Sequence, residues 1–531
     1  MDNDFTFLVQ LNPKQRDVCI SENNYVLTAC PGSGKTRTIT YRLAYLDKKY
    51  IPSRLLNIAI TYTNRAADEI YSRLDSMSID ESSIWTGTIH QFCMHFIIRP
   101  YAMYSEQLCH GYHIVDEFIK KQYLAEINSA LRIHATQSDL FSNPIIKAAY
   151  RERLRSNKEI DFDMILELSD TLLSEHPFIA ENISHIIRSI HVDEFQDTDD
   201  AQIASFVAMQ KKLGFNFFIV GDLKQSIYRF RGATMTAFKK MGCNKESWLS
   251  FTLNLNYRSD KRLLDRFAKT FSYMSKMDLL KYDLTTDVLR GIKSNNISED
   301  LLVVPISYNN SDKNNSTKYY DMLFNIIEQQ RQRIEIEMGT KELSKNKRTI
   351  AILTRSNYQI NEILKEAKRR EVVIESDNNS DLYRLAPSTD LCRLTSALCN
   401  PYNPTYLFDL IHSRNVNIIF DIRSIIGKTA DEKTDVFIDC LDKFYYSAMG
   451  KTWKDLVRDI QKEPVLKTLR LIYEATKPWR AYAPSDEYMQ EYYRTNYELI
   501  FEELSKMNKK SYLTLDSINE SLHINIMTGT E

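Results

Sequence analysis

The sequence has no long hydrophobic run and no closely spaced pair of cysteines. Its apolar runs, such as 217–220, cover only a few residues, whereas a membrane-spanning helix needs about 20. The opening residues, MDNDFTFLVQLNPKQ, lack the basic and apolar segments of a secretory signal, so we expect no membrane insertion and no export. The eight cysteines are scattered without a CxxC pair, which predicts reduced thiols in a cytoplasmic protein.

The chain also has no large excess of positive or negative charge, because its 69 lysines and arginines nearly balance its 70 aspartates and glutamates. This balance excludes a uniformly basic nucleic-acid coat, so any contact with DNA or RNA must come from a local groove. Hydrophobic residues make up 43% of the chain and charged residues 26%, as in folded globular proteins. A chain of 531 residues is too long for one hydrophobic core and predicts several domains.

Short β-rich runs alternate with helical patterns over roughly the first half of the chain, at 25–28, 57–61, 187–192 and 217–220. This alternation predicts an α/β fold with a parallel sheet covered by helices on both faces. The interval 97–184 lacks strand signals, which predicts an inserted helical subdomain. A second α/β region is expected from about residue 250, and its predicted strands lie at 301–306, 349–353 and, after a second helical stretch, 524–527.

The segment YVLTACPGSGKTRTIT, residues 25–40, is typical of a phosphate-binding loop between a strand and a helix. Glycines in the loop would let backbone N–H groups approach phosphate oxygens, Lys35 would reach the β- and γ-phosphates, and the Thr36 hydroxyl would ligate Mg²⁺. An ordinary tight turn is the alternative. Ala29 stands where the general pattern has its first glycine. The predicted nucleotide-binding loop comprises Ala29, Cys30, Pro31, Gly32, Ser33, Gly34, Lys35 and Thr36.

Two carboxylates, Asp193 and Glu194, follow the predicted strand 187–192. They would lie at the sheet edge where open α/β folds bind ligands. We expect Asp193 to hold Mg²⁺, directly or through water, and Glu194 to orient and deprotonate an attacking water. A solvated acidic turn is the alternative interpretation.

The segment GDLKQSIYRFRGA, 221–233, follows another predicted strand. Gln225 is placed there to sense a γ-phosphate. Tyr228 and Phe230 alternate with Arg229 and Arg231, which favours a stacking platform for unpaired bases. By itself the same pattern also fits ordinary packing with solvated charges.

In their order along the chain and in their amino-acid sequences, these segments resemble the motifs of superfamily 1 helicases of the UvrD/Rep/PcrA type. The matching motifs are LNPKQRDV, TYTNRAADEI, GTIHQFC, DEFQD, GDLKQSIYRFRGA, LNYRS and IAILTRSN. The resemblance implies two RecA-like P-loop NTPase motor domains, each with a helical insertion, that use ATP and Mg²⁺. It also implies DNA-stimulated ATP hydrolysis, 3′→5′ movement on single-stranded DNA and action at duplex junctions.

The family resemblance also implies roles for residues outside the phosphate loop. Gln15 and Arg37 would approach the adenine, Tyr257 would stack on it, and Arg258 would contact the γ-phosphate and join Lys35, Asp193, Glu194 and Gln225 in catalysis. Phe230 stands where the family typically carries tryptophan. The implied single-stranded DNA path is lined by Tyr62, Asn64, His90, Tyr228, Phe230 and Arg231.

Domain boundaries follow from the motifs and the helical stretches. The first motor domain is predicted at 1–96 and 185–249, with a helical insertion at 97–184. The second motor domain is predicted at 250–385, with a helical insertion at 386–515 and a truncated return strand at 516–531.

The resemblance breaks at INIMTGTE, because the end of motif V and all of motif VI, with its arginine, have no counterpart. Such an arginine is worth roughly 10³–10⁵ in rate in related systems, so we expect binding to survive better than fast hydrolysis. A fragment, a natural shortening and a partner-supplied segment remain open. The alternative function is an ATP- and DNA-binding sensing subunit of a repair or antiviral defence complex, acting with a nuclease or another protein.

Overall fold

The structure is a computed structural model that describes residues 5–530 apart from 51–54, 78, 80–82, 116, 137–138, 227–236, 243–247, 280–281, 283–286, 294–314, 339–349, 375–381, 417, 419, 483, 485–486 and 511–512. The chain forms two compact units. The first comprises Met1–Asn295 and Asp381–Glu531, and the second comprises Asn296–Ser380.

The described strands all lie in the first unit. They are β1 Asn24–Ala29, β2 Leu56–Ile60, β3 Ile84–Gly87, β4 His113–Ile114, β5 Glu159–Ile160, β6 Ile187–Val192, β7 Asn216–Gly221, β8 Trp248–Leu253, β9 Leu255–Asp260 and β10 Arg290–Lys293. Six of them form one sheet in the order β3-β2-β6-β7-β1-β8, and β4-β5 and β9-β10 form two small sheets. Every described strand pair is parallel.

The predicted α/β class and parallel sheet are confirmed. Strand β7 is buried from Phe217 to Gly221, and β6 is buried except at Arg188. Such nearly continuous burial is expected when helices cover both faces of a parallel sheet. Consecutive parallel strands need a crossover, and the helices supply it.

Thirteen described α-helices of the first unit precede the second unit in the chain. They are α1 Pro13–Ile20, α2 Lys35–Lys49, α3 Asn64–Ser76, α4 Ile89–Cys93, α5 Arg99–Tyr101, α6 Glu117–Leu131, α7 Asp139–Ser142, α8 Pro144–Ser156, α9 Phe162–Glu175, α10 Pro177–Ser184, α11 Asp200–Leu213, α12 Ala237–Lys240 and α13 Lys261–Lys276. A π-helical turn, Met94–Ile98, joins α4 to α5.

The second unit contains α14 Asn315–Met338 and α15 Asn357–Arg369. They pack through Phe324, Ile363 and Ala367. The chain then returns to the first unit, whose remaining helices are α16 Ala386–Cys399, α17 Pro404–Ile411, α18 Ala430–Met449, α19 Trp453–Lys462, α20 Val465–Thr476, α21 Glu487–Lys510 and α22 Leu515–Thr530. No helix in the described ranges is long and apolar enough to cross a membrane.

The helical stretch 97–184 and the helices α16–α22 share one hydrophobic core. A buried carboxylate joins them, because Glu159 accepts hydrogen bonds from Tyr123 Oη at 2.8 Å and from Tyr406 Oη at 2.7 Å. Helix α22 adds a second connection, in which Glu520 pairs with Arg99 at 2.5 Å and accepts from Tyr112 Oη at 3.0 Å. The two predicted helical regions are therefore in direct contact within one unit.

The strand predicted at 524–527 is wrong, because these residues lie in α22. One face of this helix packs against α16, with Ile518 and Leu522 fully buried. Polar side chains support the same face: Asn519 accepts from Thr395 Oγ1 at 2.9 Å, and His523 Nε2 lies 3.0 Å from Ser396 Oγ. Tertiary packing thus overrides the weak β preference of INIM.

The second α/β region also differs from the prediction. Its expected start at 250 falls inside β8, which pairs with β1 of the first sheet. Residues 350–353 form no strand; Leu353 is almost fully exposed, and Ile352 packs beside α14 and α15. The predicted strand at 301–306 and Thr349 lie outside the described residues. A strand needs a hydrogen-bonded neighbour, and the described part of the second unit provides none for 350–353. A second motor domain at 250–385 therefore stays a prediction.

Candidate functional site

The predicted phosphate loop connects the end of β1 to the first turn of α2. Its backbone is left-handed at Gly32, with φ of +69°, and at Gly34, with φ of +86°. A Cβ at Gly32 would lie 2.7 Å from Arg258 Cβ, and one at Gly34 would lie 3.0 Å from Gln15 Nε2. Both positions therefore require glycine. Helix α2 begins at Lys35, so its free N–H groups face the loop and suit an anion.

Four side chains from the loop and the end of β6 meet at this helix terminus. Lys35 Nζ lies 2.6 Å from Glu194 Oε2, and Thr36 Oγ1 donates to Asp193 Oδ2 at 3.5 Å. Burial, reinforced by the charge of Glu194, raises the pKa of Asp193, while Lys35 opposes this shift. The hydroxyl and carboxylate oxygens are hard ligands that suit Mg²⁺ beside a phosphate group. These residues thus fit both the nucleotide and the metal.

No group of three or more His, Cys, Asp and Glu side chains in the described ranges is arranged to hold a metal.

Glu194 has a left-handed backbone, with φ of +49° and ψ of +41°. Such a conformation costs a non-glycine residue free energy and is concentrated at functional sites. It turns the chain sharply after β6, so Asp193 and Glu194 both reach the phosphate loop. Gln196 Nε2 holds the same Glu194 oxygen at 2.7 Å. The sequence analysis missed this glutamine, although it lies inside the DEFQD motif.

Side chains predicted to read the adenine gather on the other side of the loop. Gln15 is buried, and its Nε2 donates to Ser33 O at 3.0 Å. Asn12 Nδ2 donates to Tyr257 Oη at 2.7 Å, and Tyr257 is 37% exposed. Arg37 lies over the Tyr41 ring, 5.1 Å from its centroid. The structure therefore brings Gln15, Arg37 and Tyr257 to one edge of the loop.

A second missed residue, Asn256, ties β9 to the phosphate loop. Its Nδ2 donates to Pro31 O at 2.6 Å, and its Oδ1 accepts the N–H groups of Arg258 at 2.8 Å and Ser259 at 2.7 Å. The Tyr257 N–H also donates to Gly32 O at 2.8 Å. These bonds fix the backbone that carries Tyr257 and Arg258 against the loop. Asn256 lies within the LNYRS motif, which was the sequence signal that could have identified it.

Gln225 follows β7, and its Nε2 donates to Asp222 Oδ2 at 3.0 Å. Among the predicted DNA-binding residues, Tyr62 and Asn64 lie half-buried at the end of β2 and the start of α3. Tyr228, Phe230 and Arg231 lie outside the described residues.

His90, another predicted DNA-binding residue, has a side chain that is only 4% exposed. Its ring stacks on Phe162 with centroids 3.7 Å apart, and burial lowers the pKa of His90 to about 3. A capping box of Thr88 and Gln91 begins α4, the helix that carries His90. His90 is therefore a packing residue between α4 and α9 in this structure.

Comparison with known proteins agrees with this geometry. The model of the UvrD/REP helicase N-terminal domain matches residues 11–148 and 120–245, which include the phosphate loop and the acidic strand end. The similarity to the UvrD/REP helicase family therefore extends over residues 11–245. The UvrD/REP match covers the six-stranded sheet except β8, together with the first helical stretch.

Several curated relatives share the name ATP-dependent DNA helicase PcrA. The chain is 32% identical to the Bacillus subtilis protein over 286 residues, or 48% of this chain and 38% of that protein. Identity to the Leuconostoc citreum protein is 28% over 291 residues, or 48% and 38% of the two chains. For Staphylococcus epidermidis it is 27% over 299 residues, or 50% and 40%. The chain thus spans about two-fifths of the length of these relatives.

Proposed function

We propose that this chain is an ATP-dependent DNA helicase or translocase whose ATP hydrolysis is stimulated by single-stranded DNA. The observation that carries the proposal is the convergence of Lys35 and Thr36 with Asp193 and Glu194 at the start of α2. Phosphate recognition, metal ligation and a general base are then available within one site. The UvrD/REP match and the PcrA relatives support DNA as the second substrate.

In this mechanism the phosphate tail competes with Glu194 for Lys35. A polyphosphate carries more charge than one carboxylate and also receives the N–H groups at the start of α2. Lys35 then moves to the phosphates and leaves Glu194 Oε2 able to accept a proton from the attacking water. Arg258 and Gln225 would contact the γ-phosphate.

Mg²⁺ is the implied metal, and Thr36 and Asp193 would hold it. When bound, it would neutralise phosphate charge during transfer. Asp193 must be ionised to serve as a ligand, and the nearby Lys35 ammonium favours that form.

We further propose that the chain moves 3′→5′ along single-stranded DNA and separates the strands at duplex junctions. Tyr62 and Asn64, together with Tyr228, Phe230 and Arg231, would line the strand. Aromatic faces and guanidinium groups suit unpaired bases and phosphates of any sequence. A cytoplasmic location belongs to the same proposal.

The test is ATP hydrolysis by the 531-residue chain with and without single-stranded DNA, beside a Lys35→Ala control. Strong stimulation that the control loses is the expected result. Duplexes with a 3′ or a 5′ single-stranded tail then test polarity, and unwinding only from the 3′ tail is expected. Absence of stimulated hydrolysis in a protein that binds ATP contradicts the motor proposal.

The second candidate is an ATP- and DNA-binding sensing subunit that regulates a partner such as a nuclease in repair or antiviral defence. One contact favours it: Gln91 Nε2, in the GTIHQFC segment predicted to meet DNA, donates to Asn525 Oδ1 of α22 at 2.9 Å. A helical region docked on that segment suits regulation. ATP and DNA binding without stimulated turnover would support this candidate.

A further inference from the structure

Gln196 lies between two parts of the candidate catalytic site, and its side chain is 1% exposed. Its Nε2 donates to Glu194 Oε2 at 2.7 Å and lies 3.4 Å from Asp197 Oδ2. Its Oε1 accepts the backbone N–H of Asp222 at 2.9 Å. One amide group therefore joins the carboxylate proposed as the base to the end of β7.

The partners of Gln196 fix the orientation of its amide. The groups facing Nε2 are carboxylates, which only accept hydrogen bonds when ionised, and the group facing Oε1 is an N–H, which only donates. Rotating the amide by half a turn would place oxygen against oxygen and NH₂ against N–H. The amide also packs closely against Gly221, because a Cβ added at Gly221 would lie 2.6 Å from Gln196 Oε1. This packing restricts the position of the amide.

The polar loop after β7 is attached to Gln196 at more than one point. Besides the Asp222 N–H, Ser226 Oγ donates to the Gln196 carbonyl at 3.2 Å. Asp222 in turn accepts from Gln225 Nε2, the predicted γ-phosphate sensor, at 3.0 Å. Residues 227–236, which come next in the sequence, contain the predicted DNA-stacking side chains. Displacement of the loop start would therefore pull on the Gln196 amide.

We propose that Gln196 is a positioning residue that couples the loop after β7 to Glu194. The inference rests on the proposed function and deepens it by naming a route through which bound single-stranded DNA would stimulate hydrolysis. Lys35 and Gln196 hold the same Glu194 oxygen. Once phosphates engage Lys35, the Gln196 amide is the group that aims the Glu194 carboxylate at the water. It acts through Glu194.

Two substitutions at Gln196 separate its bond to Glu194 from its bond to Asp222. Gln196→Leu removes both at similar volume. Gln196→Glu keeps an acceptor for the Asp222 N–H but loses the donor to Glu194 and sets one carboxylate against another. In both variants we expect the kcat with single-stranded DNA to fall by about 10-fold or more, as for a lost hydrogen bond to a charged group. The ratio of kcat with DNA to kcat without DNA should fall as well. The KM for ATP and the Kd for a fluorescent ADP analogue should stay close to wild type.

Gln202→Leu is the matched control. Gln202 is also a buried glutamine just after the motif, but its side chain closes the capping box of α11 with Asp199 and does not contact Glu194. This control should lower thermal stability and leave the stimulation ratio unchanged.

The outcomes distinguish this coupling from the function on which it rests. If single-stranded DNA does not stimulate hydrolysis by the wild-type chain, both the proposed function and the coupling are overturned. If it does, and Gln196→Glu keeps the wild-type ratio, the coupling alone is overturned. Should Gln196→Leu fail to fold, Gln196→Glu decides, because it preserves the side-chain volume and the bond to Asp222.

Discussion

The ammonium nitrogen of Lys35 lies 2.6 Å from Glu194 Oε2, and Lys35 is 9% exposed. This ion pair joins the phosphate loop to the acidic end of β6. Each partner is predicted to act on a different part of the reaction, Lys35 on the phosphates and Glu194 on water. The pair therefore opposes nucleotide binding, because Lys35 must give up one anion to receive another.

Glu194→Gln should retain or tighten ATP binding and lower kcat by about 10²–10⁴-fold, the usual contribution of a general base. Removing the carboxylate charge frees Lys35 for the phosphates while removing the proton acceptor. A fluorescent ATP analogue measures binding, and phosphate release measures turnover. Glu181→Gln, at an exposed position on α10, is the control. Loss of ATP binding as severe as that of Lys35→Ala would contradict the interpretation.

Asn256→Asp should weaken nucleotide binding by about 10- to 100-fold, the range of a lost hydrogen bond combined with local repulsion. The introduced carboxylate still accepts from the Arg258 and Ser259 N–H groups but faces the Pro31 carbonyl without a proton to donate. Equilibrium titration with a fluorescent ADP analogue checks this. Asn254→Asp makes the same charge change two residues upstream, and equal losses in both variants would refute a specific role for Asn256.

His90→Phe should reduce the acid sensitivity of the first unit. Burial lowers the pKa of His90 to about 3, below the ordinary value of about 6.5. The stability that depends on a neutral His90 is complete above about pH 6.5 and is lost as the pH falls toward 3, by about 1.4 kcal/mol per pH unit.

Phenylalanine keeps the stacking surface against Phe162 and cannot take up a proton. Denaturant midpoints between pH 7.5 and about 5 should therefore change less in His90→Phe than in wild type, by one proton's contribution. His134→Phe, at an exposed position, serves as the control. Equal pH dependence in wild type and His90→Phe would rule out the burial of a neutral His90.

Tyr406→Phe should destabilise the contact between the two helical regions by about 1.5–3 kcal/mol, because it leaves the buried Glu159 carboxylate with one donor fewer. Burial raises the pKa of Glu159, so the lost donor also favours its protonation. Thermal unfolding measures the change. Tyr402→Phe, 58% exposed, should unfold like wild type. A Tyr406→Phe protein as stable as the Tyr402→Phe protein would show that this bond contributes nothing.

Local sequence predicted the central strands β1, β6 and β7 from short β-rich runs. The structure buries nearly all of their residues, including the polar Ser189 and His191 of β6. Local sequence missed β8, whose middle residues are exposed or half-buried and resemble an amphipathic edge. The strand predicted at 524–527 became helix because its partners on α16 come from a distant part of the chain. No local pattern contains that information.

The candidate site also contains residues that local sequence predicts and residues that it does not. The glycines and charged residues of the phosphate loop and the acidic strand end form short motifs that indicate their chemistry. Gln196 and Asn256 act through hydrogen bonds to segments remote in sequence, so their roles could not be predicted from spacing. His90 was predicted to face DNA, and its burial depends on Phe162 in another helix.

Strand order has a consequence for the growing chain during synthesis. The neighbours of β1 are β7 and β8, and β2 adjoins β6, so β1 and β2 are consecutive in the chain but apart in the sheet. When residues 1–96 have emerged from a ribosome, the places of β6 and β7 between β2 and β1 are therefore still empty. Residues 97–184 must be synthesised before β6 and β7 can take these places. The phosphate loop gains its partners Glu194 and Asn256 only afterwards, so shorter nascent chains expose unpaired strand edges and lack these two contacts.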